Sequence, residues 1–114
     1  MSEPTLFTRI IEGEIPGDFV HRDEQCVVIR DIDPKAPVHL LVIPVKPLVG
    51  IQGAAAEDQL LLGHLMLIAR QVAEKEGVGE GYRLVVNAGE DAGQSVPHLH
   101  VHVLGGRPMT WPPG

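Results

Sequence analysis

Three histidines alternate strictly with aliphatic residues in His98-Leu99-His100-Val101-His102-Val103-Leu104. In a strand, alternate residues share a face, so the imidazoles would line one side at steps of roughly 6.5–7 Å. Leu99, Val101 and Val103 would take the other side and enter the core. A lone strand histidine is ordinarily a satisfied polar residue, but three opposite three core aliphatics point to chemistry. Two chemistries use such a face. Imidazole nitrogens from His98, His100 and His102 could hold a metal such as zinc. Alternatively, a neutral imidazole could attack phosphorus while its neighbours hold the oxygens. The preceding loop, Ala88–Ser95, places Gly93, Gln94 and Ser95 where backbone N–H groups and a hydroxyl could receive an anion. No Gly-Lys-Ser/Thr follows, so this is no Walker loop. No carboxylate lies within the histidine strand to complete a metal shell. These features favour phosphate, with metal binding as the alternative.

The elements that must position these residues are short. Thr5 is a plausible N-cap for a helix over about 6–12, stopped by Gly13. Phe19–His21 and Cys26–Asp31 are expected as strands around a polar turn, and Leu40–Pro44 as a third, closed by Pro44 and Pro47. One long helix should run from about Glu57 to Glu76, with Gly77 just past its end. Its apolar stripe is Leu61, Leu65, Ile68 and Val72, widened by Leu62, Met66, Ala69 and Ala73. Leu60 and Leu67 fall off that stripe. Tyr82–Asn87 and His98–Leu104 complete five strands. The expectation is a single α+β domain over 1–114, with a mostly antiparallel five-stranded sheet, one long helix and one short one. Taken alone, Asp31 reads as a turn residue ahead of Pro34, and His39 as a polar strand-start residue. His21 and His64 match no motif and are expected on the surface.

Composition narrows the function classes. With 114 residues, 44% hydrophobic and 21% charged, the chain is an ordinary globular domain. Nine Lys+Arg against fifteen Asp+Glu give a net charge of −6, the wrong balance for a nucleic-acid binder. One cysteine, Cys26, excludes an intrachain disulfide and an all-cysteine zinc site. Met1–Thr5 has no leader features and no apolar run approaches a membrane span, so a cytoplasmic protein with no membrane partner is expected.

The chain resembles the histidine triad family, and within it the purine-nucleotide-binding Hint branch. The resemblance rests on His98–Leu104 and on Val86-Asn87, Gly93-Gln94-Ser95-Val96 and Leu104-Gly105-Gly106-Arg107. It extends to Asp31-Ile32, His39–Pro44 and the terminal Trp111-Pro112-Pro113-Gly114. It implies hydrolysis of purine nucleoside 5′-phosphoramidates through a nucleotidyl-histidine, without cofactor or metal. By resemblance His100 is the nucleophile, His102 and Asn87 hold phosphate oxygens, and Ser95 sits near the leaving nitrogen. His98 supports His100, and His39 is a fourth, relay histidine. Gly93 and Gln94 would belong to the phosphate loop. Asp31, with Ile32 beside it, would accept the ribose hydroxyls, while Leu6, Phe7, Ile10, Ile29 and Leu41 would clamp the base. The resemblance also implies a homodimer that joins two sheets, with Trp111 lining the partner subunit's leaving-group side. A purine-nucleotide-binding or scaffolding protein with incidental catalysis is the alternative.

Overall fold

The computed structural model describes residues 4–114; residues 1–3, part of the stretch read for a leader, lie outside it. Helix α1 (Leu6–Ile11) starts at Thr5, whose Oγ1 accepts the Thr8 N–H at 3.1 Å, the expected N-cap. The strands are β1 (Phe19–Arg22), β2 (Cys26–Arg30), β3 (Val38–Pro44), β4 (Tyr82–Val85) and β5 (Val101–Gly105). They form one antiparallel sheet in the order β1-β2-β3-β5-β4. Helix α2 (Gln59–Lys75) lies between β3 and β4 in the chain. No helix of the described residues is long and apolar enough to cross a membrane.

Strand alternation divides the core between two faces. Cys26, Val28, Leu40, Val42, Leu99, Val101 and Val103 pack toward Leu65, Ile68, Ala69, Val72 and Ala73 of α2. Val27, Ile29, Leu41 and Ile43 pack with Phe7 and Ile10 of α1. Being covered on both sides explains why β2 and β3 read as unbroken aliphatic runs. Leu61 of the predicted stripe is partly buried against the α2-side core, whereas Met66 is half exposed. Gly77 takes φ +83° just past the helix, a conformation in which a side chain would be strained.

Several boundaries move for identifiable reasons. Glu57 and Asp58 form a 3₁₀ turn (Ala56–Asp58) ahead of α2; the Asp58 carboxylate accepts the Ala55 N–H at 2.9 Å and meets Lys46 Nζ at 2.6 Å. β5 begins at Val101 rather than His98. Its last partner on β3 is Val42, and Pro44 further on has no N–H for a ladder. The Leu99 N–H turns instead to Leu48 O, at 2.7 Å. Alternation nevertheless persists through His98–His100, because Leu99 sits in the α2-side core and Phe7 of α1 contacts both flanking rings.

Candidate active site

On the α1 side of the sheet, hydrogen bonding assigns each imidazole a tautomer. A carbonyl oxygen can only accept, so His98 Nε2 donates to Pro44 O at 2.8 Å. Its Nδ1 then accepts the Thr5 hydroxyl, also at 2.8 Å. His98 thereby ties α1 to the end of β3, with both ring nitrogens occupied. His100 Nδ1 donates to His98 O at 2.7 Å, which leaves Nε2 of the neutral ring carrying a lone pair. The Phe7 ring meets His100 edge-on at 4.9 Å between centroids and fixes its plane.

His102 is set by a longer chain. The Lys35 backbone N–H donates to His39 Nδ1 at 3.0 Å, so the His39 proton is on Nε2. His39 Nε2 donates to His102 Nδ1 at 2.9 Å, and His102 must carry its own proton on Nε2. Asp31 Oδ2 lies 3.4 Å from His39 Nε2, while its Oδ1 accepts the Asp33 N–H at 2.8 Å. Burial, reinforced by His100 and His39, pushes His102 down to about 4. His39 and His98 are also pushed down, chiefly by burial. At neutral pH, His102 therefore offers a neutral N–H donor beside His100, with 5.0 Å between the two ring centroids.

Both rings open on a cleft of about 250 Å³. Of the expected residues, Leu6, Phe7, Ile10, Ile29 and Leu41 form its apolar side, and Asp31, Ile32, Ser95, His100 and His102 line it as well. Ile15, Pro16, Arg30 and Val96 also line it and were not among the site residues expected from sequence. Ile32 is fully exposed at the rim.

Other expected residues stand outside the cleft lining. Gln94 accepts the Gly89 N–H and donates to Val49 O and Val96 O, so its carboxamide braces the loop that carries Ser95. Gly93 turns that loop at φ +87°. Asn87 lies two residues past Val85, the last residue of β4 and the partner of His102. Trp111 is 85% exposed, on a tail held to β4 by Arg83 bonds to Thr110 O and Pro113 O. His21 and His64 are half-buried rather than on the open surface, because each bonds the Asp23 carboxylate.

The three triad rings do not converge as metal ligands, since both His98 nitrogens are spent on protein oxygens. Asp31, His39 and His102 do present donor atoms within 4.8 Å of one another. What the arrangement can do is hold an apolar ring, place an anion against the His102 N–H and present the His100 Nε2 lone pair to it.

The HIT domain pattern matches residues 12–109. The chain is similar to an uncharacterized HIT-like protein of Synechococcus elongatus, 54% identical with both chains fully covered. It is 48% identical to the 14 kDa zinc-binding protein of Zea mays, over 97% of this chain and 88% of the relative. A HIT family hydrolase of Legionella pneumophila superposes with a TM-score of 0.93 at 47% identity, covering 96% of this chain and 98% of its own.

Proposed function

From the chain's membership of the HIT domain family, we propose that it hydrolyses purine nucleoside 5′-phosphoramidates to a nucleoside monophosphate and an amine. The observation that carries this reading is the tautomer of His100. Its Nδ1–H is held by the His98 carbonyl, leaving Nε2 as a nucleophile beside the cleft. In the first step Nε2 forms a bond to phosphorus while the P–N bond to the amine breaks. The amine leaves with a proton drawn from solvent and relayed by the hydroxyl of Ser95, which lines the cleft. In the second step water attacks phosphorus and returns a proton to solvent, the histidine–phosphorus bond breaks, and neutral His100 is regenerated.

The same reading gives the neighbours their roles. His102 Nε2–H, held outward by His39, stabilises a non-bridging oxygen, with Asn87 assisting. Asp31 takes the ribose hydroxyls, and the Leu6, Phe7, Ile10, Ile29 and Leu41 wall takes the purine. The Legionella neighbour described as a hydrolase supports hydrolysis in general. The Leu104-Gly105-Gly106 continuation supports the Hint branch. The reading includes a cytoplasmic homodimer paired through α2, where Leu60 and Leu67 are 87% and 59% exposed. Trp111 would then reach the partner's leaving-group side.

The decisive test is amine release from adenosine 5′-phosphoramidate with and without chelator. Wild type should turn over in both conditions, and His100→Ala should lose several orders of magnitude while still binding AMP. Saturable AMP binding without wild-type turnover would select the scaffolding alternative. Turnover that collapses on chelation would favour a metal at Asp31, His39 and His102, a reading to which the maize relative's name lends weight.

A further inference from the structure

A second cluster of chemically capable side chains lies away from the cleft, where the β1–β2 turn meets α2. Asp23, in the turn, anchors one carboxylate oxygen on the backbone: Oδ1 accepts the N–H groups of Gln25 and Cys26 at 2.7 and 2.8 Å. The other oxygen is thereby aimed. Oδ2 stands 2.8 Å from His21 Nε2 of β1, 2.8 Å from His64 Nε2 of α2 and 3.6 Å from Cys26 Sγ of β2. Donor atoms of His21, Asp23 and Cys26 all lie within 4.8 Å of one another.

We propose that His21, Asp23 and Cys26 form a site for a zinc-class divalent cation, with His64 holding the Asp23 carboxylate from α2. The donor set selects the metal class. One thiolate, one imidazole and one carboxylate are too soft for magnesium or calcium and suit tetrahedral zinc or cobalt, with water in the fourth position. Spacing agrees. Ligand atoms around tetrahedral zinc stand about 3.3–3.6 Å apart, so the oxygen–sulfur pair is already placed and the His21 contact must open by about 0.5 Å. His21 and Asp23 side chains are 29% and 28% exposed, which leaves an entry path, while Cys26 is fully buried at the floor. His64 fills the place of the outer hydrogen-bond donor that ligating carboxylates ordinarily have.

Proton accounting follows from the groups present. Without metal the Cys26 S–H donates to Asp23 Oδ2 at 3.6 Å, so the thiol carries its proton. Binding replaces S–H by S–metal and releases one proton. The His21 proton shifts from Nε2 to Nδ1 through solvent, freeing the Nε2 lone pair. Affinity should therefore rise with pH.

The test is cobalt titration of the full chain after dialysis against chelator. The expected result is one equivalent bound with thiolate-to-cobalt charge-transfer absorption. His102→Ala should leave that band intact, separating this site from Asp31, His39 and His102. Cys26→Ser should abolish the band, and His64→Ala should weaken binding about 10–100-fold. His21→Ala should weaken it further, and as a part-exposed position it remains decisive if the buried serine variant fails to fold. Absence of the band at one equivalent in wild type, or an unchanged midpoint in His21→Ala, would overturn the proposal.

Discussion

Replacing His39 tests whether the imidazole chain sets the chemistry of His102, since His39 itself does not line the cleft. His102→Ala removes the N–H proposed to meet the phosphate, and losing one such donor costs about 10²–10³ in kcat. His39→Ala leaves that donor in place but removes the bond, 2.9 Å long, that keeps the His102 proton on Nε2. A neutral hydrogen bond contributes about 0.5–1.5 kcal/mol net, so the expected loss is about 2–13-fold. His39 also accepts the Lys35 N–H and approaches Asp31, so some change in KM is expected as well.

The discriminating measurement is a double-mutant cycle on kcat for amine release at saturating adenosine 5′-phosphoramidate. If His39 acts through His102, then in the His102→Ala background the second substitution costs nothing further in kcat. His39→Gln supplies an amide donor near the position of Nε2 and should recover most of the single-mutant loss. Circular dichroism on each variant separates misfolding from chemistry. Full additivity, or a glutamine variant no better than alanine, would refute the tautomer chain and leave His39 a packing residue.

Three further outcomes follow. Substrates lacking the 2′-hydroxyl should turn over more slowly, and Asp31→Ala should erase that difference; equal ribose and deoxyribose rates in wild type would return Asp31 to its turn with Asp33. Thr5→Ala should lower unfolding free energy by about 1–3 kcal/mol, from the lost N-cap and the stranded His98 Nδ1. Thr8 Oγ1, at 3.5 Å from the same nitrogen, limits that cost, and Thr5→Ser should restore it in chemical denaturation. Asp23 is held well below the ordinary carboxylate range: burial opposes this, but bonds from His21, His64 and the Gln25 and Cys26 amides outweigh it. Its stabilisation is therefore full above about pH 4 and lost as pH falls through the folded value. Asp23→Asn should flatten the acid arm of the stability curve, and an unchanged arm would show that the carboxylate is not held this way.

The architecture was legible where periodicity carries it. Leu65, Ile68 and Val72 fell on the buried stripe of α2, and Leu99, Val101 and Val103 on the core side of the histidine segment. Antiparallel pairing and the short α1 with its Thr5 cap also followed from local signals. Boundaries were less legible because they depend on distant partners. β5 loses its first three expected residues to a proline on another strand, and Met66 is half exposed although the wheel placed it beside the stripe. The Asp23 cluster was invisible for a related reason. His64 reaches it from 41 residues away, and no spacing rule joins a helix histidine to a hairpin turn.

The triad shows the limit of pattern in its sharpest form. Alternation assigns His98, His100 and His102 to one face and makes them equivalent. Their chemistry then diverges through groups that alternation does not see. A threonine on α1 and the Pro44 carbonyl consume both nitrogens of His98. The carbonyl of that same residue orients His100, so the first histidine acts on the second through its backbone. A loop amide four residues before His39 sets His102 at the end of a relay across two strands. Side-chain type and period bring the rings to one surface. Which nitrogen donates and which holds a lone pair is decided by carbonyls, hydroxyls and amides that the fold delivers from elsewhere.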